Sequence, residues 1–200
     1  MSITTYAELQ TAVVNWLHRD DLSAQIPDFI TLAEAKLKRE LRTREMEKRA
    51  TTDVSGEYTE LPSDFIEIRS AYLNTDPKQQ LKPMPPSDIR SRWMGSTTGK
   101  PEVFAIVGDE ILLAPSPDGT YEIELDYYAF SPLSELNTTN WLLTKYPDVY
   151  LYGALVEATM NIKNDARLAN WVSLYKYAVD SVKTSDWGSV NPGPLRIISG

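Results

Sequence analysis

Residues 140–158 read NWLLTKYPDVYLYGALVEA. They decide the fold, because here a run of short alternating segments gives way to a helical period. Pro147 suits a first helical position, where the N–H it lacks would have no intrahelical partner, so a helix is predicted from Asp148 onward. Val149, Tyr152, Val156 and Met160 fall at helical spacing, flanked by Leu151, Leu155 and Ile162. Trp141, Leu142, Leu143, Tyr146, Tyr150 and Leu151 make the start of this helix apolar on nearly every side. A helix of that kind must be buried all round. Two readings follow. Its own domain covers it as core, or a subunit interface shares the work through Trp141, Leu142, Tyr146, Tyr150 and Tyr152.

Downstream, Asn164 and Asp165 break and cap, and Leu168, Trp171, Val172, Tyr175, Val179 and Val182 mark a further helix. The last fifteen residues, DWGSVNPGPLRIISG at 186–200, carry two prolines and three glycines, which speak against regular structure. Trp187, Leu195, Ile197 and Ile198 are nevertheless too apolar to remain in water. The reading is an extended C-terminal arm over 186–200 that lies on a partner, with folding back onto its own domain as the alternative. Such an arm would reach on the order of 50 Å.

Upstream the period is short. Residues 46–130 read as extended segments at 46–53, 57–60, 65–73 and 80–84, a hairpin of 103–107 and 110–113 around Gly108-Asp109, and a last strand at 121–130. In that strand Tyr121, Ile123, Leu125 and Tyr127 alternate with Glu122, Glu124 and Asp126, giving one buried face and one wet, negative face. No helical pattern interrupts these segments, so a small antiparallel sandwich or barrel is expected rather than βαβ units. Before them, Tyr6, Leu9, Val13, Trp16 and Leu17 mark a first helix, with Thr5 and Glu8 as its capping box. Ile26, Ile30, Ala33, Leu37 and Leu41 mark a second, opened by Pro27 and reaching roughly to Arg42. The predicted class is α+β. Residues 1–45 and 147–185 form one helical bundle, 46–130 an inserted β lobe, 131–146 a connecting loop and 186–200 the arm.

The chain has 200 residues, 42% of them hydrophobic, enough for a real core in one large domain or two small ones. No run approaches the roughly 18 to 20 apolar residues of a membrane span, and MSITTYAELQ has neither a basic start nor an apolar segment. Neither membrane insertion nor export is expected. The lack of cysteine removes disulfides, thiolate zinc sites and cysteine nucleophiles, and fits a reducing cytoplasm. His18 is the single histidine, which excludes an HExxH helix; without a G-x-S-x-G elbow, a triad through Asp20 and Asp21 lacks its serine. Its expected place is the first interhelical turn. Neither glycine-rich phosphate motif occurs, and no metal or cofactor site is expected. Glu122, Glu124 and Asp126 could be paired carboxylates of a glycosidase, but on a strand's outer face solvated charge explains them.

A net charge of −8 disfavours nonspecific nucleic-acid binding, which depends on cations neutralising phosphates. Against that trend, KLKRELRTREMEKR at 36–49 holds seven basic and three acidic residues. It reads in three ways. It could bind phosphate or nucleic acid. It could be a helix surface laced by the i,i+4 pairs Glu34–Lys38, Glu40–Arg44 and Glu45–Arg49, each worth a few tenths of a kcal/mol, on the order of 0.3. Or it could be a basic stripe, Lys38, Arg39 and Arg42 foremost, facing the acidic surface of an identical neighbour.

DDLSAQIPDFITLAEAKLKREL (20–41), LPSDFIEIRS (61–70), ILLAPSPDG (111–119), the opening stretch, NDARLANW (164–171) and GPLRI (193–197) are sequence textures, not catalytic motifs. In them the chain resembles bacteriophage head-to-tail adaptor proteins of short-tailed phages, also called connector, head-completion or tail-tubular proteins. The likeness spans most of the chain, residues 75–100 excepted. It implies a helical bundle with an inserted β lobe, and a virion protein of the neck or tail, assembled in the host cytoplasm and not an enzyme. It implies a homo-oligomeric ring of twelve subunits beneath the portal protein, extending the DNA ejection channel toward the tail nozzle or tail fibres. Double-stranded DNA would pass without specific binding. The resemblance also implies that the arm, through Trp187, Pro192, Pro194, Leu195, Arg196, Ile197 and Ile198, docks on the portal or a neighbouring subunit. Two other functions stand as alternatives: a carboxylate-dependent cell-wall hydrolase of the virion, and a cytoplasmic binding module acting through residues 36–49.

Overall fold

A computed structural model describes residues 3–93, 98–162 and 166–190. In chain order they form helix α1 (Tyr6–Leu17), a 3-10 turn (Asp20–Gln25), α2 (Ile26–Glu40), a second 3-10 turn (Arg44–Met46), and strands β1 (Glu47–Val54), β2 (Tyr58–Glu60), β3 (Phe65–Leu73), β4 (Gln79–Gln80) and β5 (Lys82–Pro83). Helix α3 (Pro86–Trp93) follows, then β6 (Thr98–Gly99), β7 (Val103–Val107), β8 (Glu110–Ala114), β9 (Ser116–Pro117) and β10 (Tyr121–Ala129). Helices α4 (Trp141–Lys145), α5 (Pro147–Asn161) and α6 (Leu168–Val190) complete the order. The protein is of mixed helix and sheet, compatible with the α+β class. It divides into two compact units, residues 46–130 and residues 1–45 with 131–200.

In the unit 46–130, one sheet runs β1-β10-β3-β4 and another β2-β8-β7-β5, with a small β6-β9 pair beside them. β10 lies antiparallel between β1 and β3, with Leu125 opposite Ala50 on one side and Ala71 on the other. The alternation of β10 places Ile123, Leu125, Tyr127 and Ala129 in a core shared with Phe104, Ile111 and Leu113 of the second sheet. Gly108 turns the β7–β8 hairpin at φ +65°, a conformation that glycine adopts without strain.

Two expectations fail in this unit. It is not wholly antiparallel, since β5 pairs with β7 and β6 with β9 in parallel. It is not free of helix either, because α3 provides the crossover that a parallel β5–β7 pairing requires. Ile89 of α3 is buried with Val103, Ala105, Leu112 and Ala114 on the outer face of the second sheet, and Met84 and Trp93 pack beside it. Two turns that open on the last of four prolines in residues 77–86 are too few to give a periodic signal, which is why the sequence hid them.

In the other unit, α1 opens on the predicted capping box: Glu8 N–H donates to Thr5 Oγ1 at 3.3 Å, and Thr5 N–H to Glu8 Oε2 at 3.0 Å. His18 caps its C-terminus in the left-handed region at φ 54°, within the first interhelical turn. α2 stops at Glu40, short of Arg42, where Leu41 turns extended. Arg42 Nη1 donates to Lys38 O at 2.8 Å and Leu41 O at 2.6 Å, taking up carbonyls that a longer helix would have bonded.

α5 packs against α1, α2, α4 and α6. Val149, Tyr150, Ala154, Leu155 and Ala158 are completely buried there. Most of the apolar girdle of this helix is therefore covered within one protomer, as the core reading has it, while Tyr152 stays half-buried and Met160 exposed. Gly153 lets the neighbours close in: a Cβ at that position would meet Ala33 Cβ at 3.2 Å and Tyr175 Cε2 at 3.3 Å.

The connecting segment 131–146 is not all loop. Asn140 Oδ1 accepts from Leu143 N–H at 2.9 Å and starts α4. The arm is also shorter than expected, because α6 continues to Val190 and takes 186–190, Trp187 among them, into the helix. Gly188 costs a helix interior only about 1 kcal/mol, whereas the first proline stands at 192. Pro192, Pro194, Leu195, Arg196, Ile197 and Ile198 lie outside the described residues, as does the side chain of Trp187.

Candidate subunit and docking surfaces

The residues expected at a subunit interface separate into two sets. Leu142 and Tyr150 are completely buried, so they are core and offer nothing to a second copy. Trp141, Tyr146 and Tyr152 are half-buried, Lys38 and Arg39 are exposed, and Arg42 is half-buried while capping α2.

Trp141 and Tyr146 meet edge to face, with ring centroids 6.5 Å apart. Around them, residues 43–45, α4 and the last turns of α6 form a small polar cavity of about 140 Å³. Lys145 Nζ pairs with Glu45 Oε1 at 2.5 Å, and Tyr146 Oη and Ser185 Oγ lie 3.1 Å apart. Arg44 N–H donates to Asp186 Oδ1 at 3.0 Å. Thr43 Oγ1 is buried here without a hydrogen-bond partner among the described residues.

The basic stretch 36–49 does not survive as one helical stripe. Glu34, assigned to Lys38 by spacing, points instead into the core, where its Oε1 accepts from Leu133 N–H at 2.8 Å and Tyr150 Oη at 2.9 Å. Burial, opposed by these two hydrogen bonds, raises its pKa above the ordinary 4.5. The signal was present in the sequence, since Glu34 falls on the same helical face as Ile30, Ala33 and Leu37. Lys36 pairs with Glu157, Arg44 with Asp186, Lys48 with Asp64 at 2.6 Å, and Arg49 with Glu124 at 2.9 Å. Glu45 goes to Lys145, not Arg49.

A wider groove of about 510 Å³ lies over Gly153, between Ala33, Lys36 and Glu40 of α2 and Val172, Tyr175, Val179 and Lys183 of α6. The Tyr175 hydroxyl at its wall has no hydrogen-bond partner among the described residues, and burial, the largest cause, pushes its pKa far up. Trp16, Tyr152 and Trp171 form an aromatic cluster, with Tyr152 and Trp171 stacked at 6.3 Å.

The acidic strand carries little of what a hydrolase needs. Glu124 is nearly buried beneath Lys78 and Arg49, and the hydrogen bond from Lys78, helped by both positive charges, lowers its pKa. A general acid requires the opposite shift. Glu122 accepts from Asn74 Nδ2, and Asp126 Oδ2 from Ser70 Oγ at 2.8 Å. The outer face of β10 is thus a bonded lattice more than a wet one. No helix of the described residues is long and apolar enough to cross a membrane.

A family model described as SU10 adaptor protein matches residues 4–197, which takes in both compact units. No curated protein matches the chain.

Proposed function

The chain belongs to the SU10 adaptor protein family, and on that premise we propose that this bacteriophage head-to-tail adaptor works as a structural ring subunit of the virion neck. The ring, of about twelve copies in the proposal drawn from the resemblance, stands between the portal protein and the tail nozzle or fibres and extends the DNA channel. The observation that carries this reading is the family match across residues 4–197, in which both units take part. A net charge of −8 supports passage of DNA without sticking, since few free cations are offered to phosphates.

In this reading the helices of residues 1–45 and 147–190 form a bundle between neighbouring copies, and the 46–130 unit is a lobe facing the tail. Trp141, Tyr146, Tyr152, Lys38, Arg39 and Arg42 supply contact surface, being the predicted interface residues that keep exposed area. Residues 191–200, with Leu195, Ile197 and Ile198, dock on the portal or on the next copy. The test is electron microscopy of the full chain mixed with its portal complex. A closed ring on the portal is expected, with docking lost when residues 191–200 are removed and the fold retained. A portal that stays bare in the presence of the full chain would sink the proposal.

A further inference from the structure

The second sheet of the 46–130 unit is electrically polar from edge to edge. β2 is one edge strand and β5 the other. At the β2 edge Glu57, Glu60, Asp109 and Glu110 are exposed, and none makes a side-chain hydrogen bond or ion pair with any described residue. Glu60 stands directly opposite Glu110 in the β2–β8 register, a like-charge pairing that costs stability in the isolated sheet. Tyr58 lies among these carboxylates with 38% of its surface exposed.

The β5 side carries the opposite character. Lys82 on β5, and Arg90 and Arg92 on α3, are exposed and likewise unbonded to any described residue. Helix α3 packs over the middle of this sheet, mostly against β7, the strand next to β5, and also against β8. The remaining cations of this unit are committed: Lys48 to Asp64, Arg49 and Lys78 to Glu124, Arg69 to Glu47, and Lys100 to Thr75 Oγ1. Asp88 and Glu102 sit beside the free cations and offset part of their charge. The β2 edge has no such offset.

We infer that the acidic β2 edge of one copy receives the Lys82, Arg90 and Arg92 face of a second copy, in a head-to-tail contact. The inference rests on the ring reading above and assigns it an interface. A contact between two different patches of the same chain propagates from copy to copy, and closes into a ring when the rotation permits. Tyr58 and the carboxylates around it suit arginine in particular, because a guanidinium stacks on a phenol ring while its fork engages carboxylates.

The backbone agrees with an open edge at β2. Glu57 O accepts from Leu113 N–H and Leu61 N–H donates to Asp109 O, so Tyr58 and Glu60, at alternate positions, turn their backbone groups away from β8. Pro83 on β5 has no N–H to give a partner strand. The contact is therefore one of side chains, set by charge, and is weakened by salt.

Two variants test it. Glu57→Lys, Glu60→Lys, Glu110→Lys makes both sides basic; Lys82→Glu, Arg90→Glu, Arg92→Glu makes both acidic. Each substituted side chain is exposed and unbonded, so circular dichroism and melting should match the wild type. Ring formation on the portal complex is followed by native mass spectrometry and microscopy. Each variant alone is expected to assemble at least about tenfold more weakly than wild type, and their equimolar mixture to recover assembly. Wild-type rings with both variants assembling equally well overturn this interface and leave the ring reading standing. Failure of the mixture to recover also overturns it. A wild-type chain that forms no ring on the portal complex overturns the ring reading, and this interface with it.

Discussion

Tyr150 Oη donates a hydrogen bond to Glu34 Oε1 at 2.9 Å, with both side chains inside the helical unit. The same carboxylate oxygen accepts Leu133 N–H, and Asn140 Nδ2 reaches Tyr150 Oη at 2.7 Å. The network ties α2 and α5 to the segment that leads back from the strands. Burial, with the Glu34 charge beside it, drives the phenol pKa far above its ordinary value, so Tyr150 remains the donor.

Replacing Tyr150 with phenylalanine keeps the packing and removes the hydroxyl. Glu34 then retains only Leu133 as its bonded partner, and Asn140 Nδ2 loses one acceptor. Urea unfolding is expected to show a loss of about 1–3 kcal/mol. A change within about 0.5 kcal/mol, the range typical of inconsequential surface substitutions, would mean that the network is not structural.

The raised Glu34 pKa makes a signed prediction. Below pH 4.5 the carboxyl is protonated both folded and unfolded, and no penalty arises. As pH rises through the folded-state value, the buried site must take the charge, so its contribution to stability is lost upward in pH. Glu34→Gln keeps an acceptor oxygen and cannot ionise. Wild type measured against this variant should therefore lose stability from about pH 4.5 upward, in thermal melts across pH 4 to 8. A difference independent of pH would refute the assignment.

Gly153 is expected to resist enlargement. A leucine there must displace Ala33 or Tyr175, since even a Cβ approaches them at 3.2 and 3.3 Å. Gly153→Leu should cost about 1–3 kcal/mol despite leucine's better helix propensity. Chemical denaturation decides it, and an unchanged midpoint would show that the neighbours yield freely.

The capping box at the start of α1 is a local device and should behave as one. Thr5→Ala should lower stability by about 1 kcal/mol, while Thr5→Asp should largely keep it, because an aspartate oxygen can still accept Glu8 N–H. Equal losses for the two would argue that the threonine acts through packing instead.

Much of the fold was legible because secondary structure writes itself as a period. The alternation of β10, the Gly108 hairpin, the Thr5–Glu8 cap and Pro147 at the head of α5 are all signatures spanning a few residues. Helix α3 escaped because two turns show too little periodicity, and the continuation of α6 past Gly188 because one glycine looks more disruptive than it is. The candidate surfaces were less legible. Leu142 and Tyr150 read as interface by composition, yet their burial depends on helices contributed by both ends of the chain.

The sequence by itself determined where most of the longer helices and strands lie, which of their faces are apolar, and a charge balance unsuited to gripping DNA. Only the tertiary structure decided what covers those faces. Glu34 finds Leu133 and Tyr150 at separations of 99 and 116 residues, and Glu45 finds Lys145 at 100. The physical reason is that periodicity belongs to neighbouring residues, whereas the partner of a buried or charged group is set by packing between segments far apart along the chain. That same packing leaves the free carboxylates of β2 and the free Lys82 of β5 at opposite edges of one sheet, with Arg90 and Arg92 on the helix packed over it.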